Sequence, residues 1–190
     1  MFTVITLYHF TKFSNPDSLR PSLLEICKSN NVRGTILIAP EGINGTIAGS
    51  DTSISKVITH IKNIPNCNNI KLKKSFATSM PFARLKVRLK REIVTMGQPE
   101  VNPISGVGHY VDPSHWDTFT NDPDVVLIDT RNDYEISIGT FKGSINPGTK
   151  SFREFPKWWE SNKERFADKK VAMFCTGGIR CEKSTNYLLN

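Results

Sequence analysis

The chain of 190 residues is 38% hydrophobic and 23% charged, which is the composition of an ordinary globular protein. No apolar run approaches the roughly 20 residues that a bilayer-spanning helix needs, and the first residues lack the pattern of a signal peptide. The cysteines include no C-x-x-C pair, so the sequence favours a reduced, cytoplasmic protein without a membrane partner over a disulfide-stapled secreted one. They are Cys27, Cys67, Cys175 and Cys181.

The net charge of +7 is concentrated in one segment of the chain. From Thr52 through Arg91 there is no Asp or Glu, although this stretch is rich in Lys and Arg. Such an asymmetry indicates a polyanionic partner. The cations are Lys56, Lys62, Lys71, Lys73, Lys74, Arg84, Lys86, Arg88, Lys90 and Arg91.

Residues 1–96 have the β-α-β-β-α-β pattern of a ferredoxin-like (acylphosphatase-like) α+β domain. The predicted elements are a strand at 4–10, a helix after Asn15, a strand at 34–39, a turn at 40–45 with Asn44-Gly45 as the hairpin signal, a strand at 46–48, a helix capped by Asp51 or Ser53, and strands near 70–72 and 84–95.

Residues 97–113 are predicted to be a linker because Pro and Gly interrupt every periodic pattern there. The remaining residues, 114–190, alternate buried strands at 125–129 and 171–174 with helices, which is typical of an α/β domain. The chain ends inside the helix that follows Cys175, so the sequence predicts an α/β domain that is incomplete at its C-terminus.

The clearest chemical signal is the segment that follows the strand at 171–174. Cys175 lies at the carboxyl end of this strand, where α/β sheets place their sites, and two glycines allow the next N–H groups to point inwards as an anion nest. The N-terminus of the next helix and a permanent arginine charge would also lower the pKa of the thiol. Cys175 is therefore the predicted nucleophile of a loop made of Thr176, Gly177, Gly178, Ile179 and Arg180.

Two other interpretations of this loop stay open. Cys175 could be a buried cysteine in an ordinary glycine turn. The loop could also belong to a Cys-dependent phosphatase, but those enzymes place one more residue between Cys and Arg, so the shorter spacing favours sulfur chemistry.

Three further residues are candidates for supporting roles. Cys181 either resolves an oxidised or persulfidated Cys175 or is a small residue near the start of the helix. Asp129 and Arg131 either orient the active loop through charge-assisted hydrogen bonds or form an ion pair that only fixes the turn. The histidines are scattered without metal-ligand spacing, so no metal is predicted.

Several segments, in chain order, resemble one family, the rhodanese-domain tRNA uridine hydroxylases (TrhO, also called YceA). Residues 129–131 and 139–146 resemble the rhodanese pattern that precedes the catalytic loop. The wider match comprises Ala39-Pro40-Glu41-Gly42-Ile43-Asn44-Gly45-Thr46, Gly108-His109-Tyr110-Val111-Asp112-Pro113, residues 128–135, residues 151–156, and Cys175 through Ser184.

The resemblance implies an oxidoreductase that hydroxylates the wobble uridine of tRNA at its 5-position, with molecular oxygen as co-substrate and Cys175 as the required cysteine. No other cofactor is evident from the sequence. The chain lacks the family's last rhodanese strand and helix and its cysteine-containing C-terminal extension. Two alternatives stay open: a sulfurtransferase that moves persulfide sulfur from a small donor through Cys175, and a non-catalytic tRNA-binding module. The sequence does not predict an oligomeric state.

Residues 84–90 alternate basic with aliphatic side chains, as a strand with two different faces would. One face carries like charges that a phosphate backbone would neutralise, so this strand is a predicted tRNA contact. The alternative is an edge strand protected by its basic side chains. The predicted nucleic-acid-binding residues are Arg84, Lys86, Arg88 and Lys90.

Overall fold

The computed structural model describes all 190 residues and divides them into two compact units, Met1–Val94 and Thr95–Asn190. No helix has both the length and the apolar character needed to cross a membrane.

The first unit is a five-stranded sheet with two helices. Across the sheet the strands lie in the order β4 (Lys71–Ala77), β1 (Phe2–Phe10), β3 (Gly42–Gly49), β2 (Arg33–Ala39) and β5 (Leu85–Leu89), with antiparallel pairing except between β2 and β5. The first four strands have the order expected of a ferredoxin-like unit, which confirms that prediction, and β5 is added beside β2. The elements are β1 (Phe2–Phe10), α1 (Leu19–Ser29), β2 (Arg33–Ala39), β3 (Gly42–Gly49), α2 (Asp51–Lys62), β4 (Lys71–Ala77) and β5 (Leu85–Leu89), with a short 3-10 helix at Pro16–Ser18.

The core of the first unit lies between the sheet and the two helices. Alternate side chains of β1 and β3, such as Leu7 and Ile47, pack in one cluster with Leu23 of α1 and Val57 of α2. Cys27 and Cys67 belong to the same cluster, and burial raises the pKa of each thiol to about 11. These two cysteines are therefore inert core residues.

The hairpin between β2 and β3 differs from the prediction. Its two turn residues are Pro40 and Glu41, and the predicted turn signal Asn44-Gly45 lies inside β3. Gly45 is required there by packing, because a Cβ atom on it would stand 2.3 Å from the backbone oxygen of Thr35. The glycine therefore marks a close approach of two strands and not a turn.

The basic strand β5 is shorter than predicted and ends at Leu89. Val87 is buried in the core, whereas Lys86 and Arg88 pair with Thr35 and Leu37 of β2 and so point to the opposite, helix-free face of the sheet. This alternation agrees with the prediction. Because β5 is also an edge strand, the edge-protection interpretation remains compatible with the fold.

The second unit contains two parallel strands, β6 (Val125–Asp129) and β7 (Lys170–Phe174), and a bridge from Ile128 to Ile145 on the far side of β6. Cys175 directly follows β7. The elements are α3 (Trp116–Thr120), β6 (Val125–Asp129), α4 (Asp133–Ile136), α5 (Phe155–Asn162), β7 (Lys170–Phe174) and α6 (Ile179–Leu189), with 3-10 helices at Pro113–His115, Phe152–Glu154 and Lys163–Phe166.

The segment 97–113 is predicted to be a linker, but in the structure it packs on α6 within the second unit. The side chain of Asn186 accepts a hydrogen bond from the N–H of Asn102 at 2.8 Å and donates one to the carbonyl of Gly106 at 2.7 Å. Gly108 lies so close to Thr185 that a Cβ atom would stand 2.9 Å from its side chain. The Gly and Pro residues therefore shape an ordered connection.

Candidate active site

The loop after β7 brings backbone donors to the sulfur of Cys175. Gly178 has a φ of 89°, a conformation that favours glycine, and it caps the N-terminus of α6. In this position the Gly178 N–H donates a hydrogen bond to Cys175 Sγ at 3.0 Å. Ile179 is the first residue of α6, so the last two residues of the predicted loop, Ile179 and Arg180, lie in the first turn of the helix.

This environment lowers the pKa of Cys175 from 9.0 to about 5. The largest cause is a hydrogen bond from the Cys181 thiol, followed by the backbone N–H groups of Cys181 and Gly177 and then by the charge of Arg180; burial opposes them. Near neutral pH, Cys175 is therefore a thiolate and a nucleophile.

Cys181 lies in the first turn of α6 and acts as the hydrogen-bond donor of this pair. Its own pKa is raised, chiefly because the proton is held between it and Cys175. The hydroxyl of Thr130 lies 3.7 Å from Cys181 Sγ. Both thiols are free in the structure, so a resolving role for Cys181 stays a prediction.

Arg180 is held by a carboxylate that lies far away in the sequence. Its guanidinium forms two hydrogen bonds with Glu135, Nη1 to Oε2 at 2.6 Å and Nη2 to Oε1 at 2.8 Å. The hydroxyl of Thr176 donates to the same carboxylate at 3.0 Å, and so does the N–H of Asn132 at 3.1 Å. These contacts, above all the bond from Arg180, lower the pKa of Glu135 to about 2.

Asp129 and Arg131 form an ion pair, and its role, to orient the active loop or only to fix the turn, stays a prediction. Asp129 is fully buried, and Arg131 Nε and Nη2 both donate to its carboxylate, at 2.9 Å and 2.6 Å. Thr140 donates to the same carboxylate at 2.7 Å. Asp129 thus fixes the arginine, and Arg131 itself lines a cavity that opens beside Cys175.

Two cavities meet Cys175, and both lie within the second unit. The smaller, of about 360 Å³, is lined by Arg131, Gly139, Thr140, Phe141, Phe174, Cys175 and Thr176. The larger, of about 600 Å³, borders the edge of β7 that has no strand beside it and includes Tyr110, Trp116, Cys181 and Glu182 in its wall. The Tyr110 hydroxyl donates a hydrogen bond to Glu182 there. No cluster of three or more His, Cys, Asp or Glu side chains in the structure could hold a metal ion.

The predicted basic residues lie in the first unit, and none of them forms an ion pair. Arg84, Arg88 and Lys90 are exposed, while Lys86 is half-buried. The sequence did not reveal that β4 contributes to the same helix-free face of the sheet as β5. On that face one row of paired residues crosses the five strands, from Lys73 of β4 through Thr6, Thr46 and Thr35 to Lys86 of β5. The alternation of Lys71 and Lys73 along β4 was the available signal.

Two family models match the chain in succession. Residues 2–93 match the UPF0176 acylphosphatase-like domain, and residues 114–190 match the rhodanese-like domain.

Proteins named tRNA uridine(34) hydroxylase are similar over the whole chain. The protein from Roseobacter denitrificans is 58% identical over 189 residues, a match that covers 100% of this chain and 64% of the relative. The proteins from Gluconobacter oxydans and Brucella anthropi are 54% and 52% identical, and the match covers 60% and 61% of their lengths. The chain thus spans less than two thirds of the relatives that it matches.

Proposed function

The chain belongs to the family that joins a UPF0176 acylphosphatase-like domain to a rhodanese-like domain, and we propose that it takes part in the 5-hydroxylation of the wobble uridine of tRNA. The observation that carries the proposal is the thiolate of Cys175, whose pKa is lowered to about 5. The similar proteins named tRNA uridine(34) hydroxylase support the choice of substrate.

In this proposal Cys175 is the reactive group, and molecular oxygen is the co-substrate. One oxygen atom enters the uracil ring and the other is reduced to water, so the reaction also requires a two-electron donor from outside the chain. The Gly178 N–H and the Cys181 thiol hold the sulfur as an anion, so that no proton has to be removed before it reacts. Arg180, fixed by Glu135, adds a positive charge beside it. Since the substrate is a tRNA, the protein would work in the cytoplasm.

The tRNA is proposed to lie on the helix-free face of the first unit's sheet. This basic face carries cations at both edges, because β4 and β5 are the two outer strands, and hydroxyl side chains between them. No carboxylate pairs with the cations of β5, so a phosphate backbone would neutralise them and release counterions. The residues are Lys71, Lys73, Thr6, Thr46, Thr35, Lys86 and Arg88, with Arg84 and Lys90 at the ends of β5.

Charge reversal of Lys86 and Arg88 to glutamate is expected to weaken tRNA binding by about tenfold or more and to reduce the salt dependence of binding. Fluorescence anisotropy with labelled tRNA over a range of salt concentrations measures both effects. Reversal of Lys56 and Lys62, two exposed lysines of α2, changes the net charge equally but on the opposite side of the sheet. Equal losses in the two variants would contradict the assignment of the basic face.

The proposed activity is tested by mass spectrometry of tRNA from cells in which the gene is deleted and then restored. Hydroxylated wobble uridine should disappear on deletion, return with the wild-type gene, and stay absent with Cys175→Ser. If deletion leaves the modification intact, the proposal is wrong. Retained modification with Cys175→Ala would favour a non-catalytic tRNA-binding module. Transfer of sulfur from thiosulfate to cyanide, lost in Cys175→Ser, would favour the sulfurtransferase.

A further inference from the structure

The smaller cavity beside Cys175 has an aromatic wall. Phe141 is 49% exposed, so part of its ring surface is open to solvent. Its ring is nevertheless held in place, because it packs edge-on against Phe174 with centroids 4.8 Å apart and lies 5.1 Å from the ring of Trp116. A fixed ring with exposed surface is the kind of platform on which nucleobases stack.

Recognition of a base also needs a fixed polar group that can hydrogen-bond to its edge, and Arg131 is such a group. Its Nε and Nη2 are occupied by Asp129, and Nη2 also donates to the carbonyl of Gly139 at 2.7 Å. The remaining nitrogen, Nη1, makes no hydrogen bond in the structure and keeps its N–H donors. The arginine also lies over the ring of Phe174, with its Cζ atom 5.6 Å from the centroid. These contacts hold the planar guanidinium group of Arg131 in one orientation.

We propose that this cavity, the Phe141 pocket, binds a single uracil base turned out of the tRNA stack beside Cys175. The base stacks on Phe141, and its carbonyl oxygen at the 4-position accepts a hydrogen bond from Arg131 Nη1. A carbonyl at the 4-position accepts from a donor, whereas the amino group of cytosine at that position is itself a donor, so Arg131 favours uracil. The inference rests on the proposed function and names the part of the substrate that its site receives.

The volume and the walls favour this cavity over its larger neighbour. A space of about 360 Å³ is at the small end of ligand pockets and suits one nucleotide. The larger cavity borders the free edge of β7, where backbone N–H and C=O groups suit an added strand better than a base. Enzymes that modify a base commonly take it out of the stack into a pocket of this kind.

The test is the binding of two anticodon stem-loop RNAs that differ only at the wobble position, one with uridine and one with an abasic site. Phe141→Leu, which keeps an apolar side chain for Phe174 and Trp116, is expected to weaken binding of the uridine RNA by about tenfold and to leave binding of the abasic RNA unchanged. Phe141→Tyr restores a ring and should restore the preference. Tyr134→Leu removes a ring that is 65% exposed but does not line the pocket, and should change neither affinity.

Equal affinities of the wild-type protein for the two RNAs, or equal losses on both in Phe141→Leu, would overturn the inference. The cellular measurement separates this failure from that of the proposed function. If the wild-type gene restores hydroxylated uridine and Phe141→Leu restores it equally well, only the pocket assignment is wrong. If the wild-type gene restores none, the proposed function is wrong and the pocket assignment falls with it.

Discussion

Replacement of Cys181 by alanine is expected to raise the pKa of Cys175 from about 5 towards its ordinary value of 9.0. The Cys181 thiol is the largest cause of the lowered value, and alanine offers no donor. The backbone N–H groups and the charge of Arg180 remain in this variant, so part of the effect should survive. The sulfur would then become protonated at a pH where the wild-type sulfur is still an anion.

The measurement is the rate of alkylation of Cys175 by iodoacetamide as a function of pH, with the modified cysteine identified by mass spectrometry. The midpoint of the rate–pH profile gives the pKa of Cys175. The absolute rate does not, because the intrinsic nucleophilicity of a thiolate also falls as its pKa falls. Cys27 and Cys67 should contribute little, since both are buried with a pKa raised to about 11.

Cys181→Ser is the matched control for this experiment. Serine keeps a hydroxyl donor of similar size at the same position, so the midpoint should stay closer to that of the wild type than it does with alanine. An unchanged midpoint in Cys181→Ala would show that the backbone donors and Arg180 suffice to keep Cys175 ionised.

The loop itself could be predicted from sequence because its parts are contiguous. A buried strand, a cysteine, two glycines and an arginine follow each other within a short segment, and local geometry brings them together. The contribution of each part to the lowered pKa of Cys175 could not be predicted. Sequence analysis assigned the low pKa to the glycine amides, the helix and Arg180, whereas the largest contribution comes from the Cys181 thiol.

The contacts that sequence analysis missed join distant positions. Glu135 lies 45 residues before Arg180 and contacts it only because β6 and β7 are neighbours in the sheet. The sequence predicts a turn at Gly45 for the same reason, since its close neighbour Thr35 belongs to another strand. Local sequence patterns predict which element forms. A glycine or a carboxylate whose contact lies on another element resembles, in the sequence, an ordinary turn or surface residue.

The ion pair of Glu135 and Arg180 leads to the second large effect. Glu135→Gln is expected to lower the free energy of unfolding of the second unit by about 2 kcal/mol at pH 7, because the guanidinium then loses the negative charge of its partner while the arginine side chain is only 13% exposed. Tryptophan fluorescence during urea unfolding measures this unit by itself. All three tryptophans of the chain, Trp116, Trp158 and Trp159, lie in it.

The dependence on pH identifies the cause of this loss. The pKa of Glu135 is lowered from 4.5 to about 2 in the folded protein, so its stabilising contribution is fully present above about pH 4.5 and is lost as the pH falls towards 2. The difference between wild type and Glu135→Gln should therefore shrink over that range. Glu160→Gln, which breaks the exposed pair with Lys163, should cost much less, because solvent screens an exposed ion pair. A loss in Glu135→Gln that is equally small, or that does not change with pH, would mean that Arg180 is held by contacts other than this carboxylate.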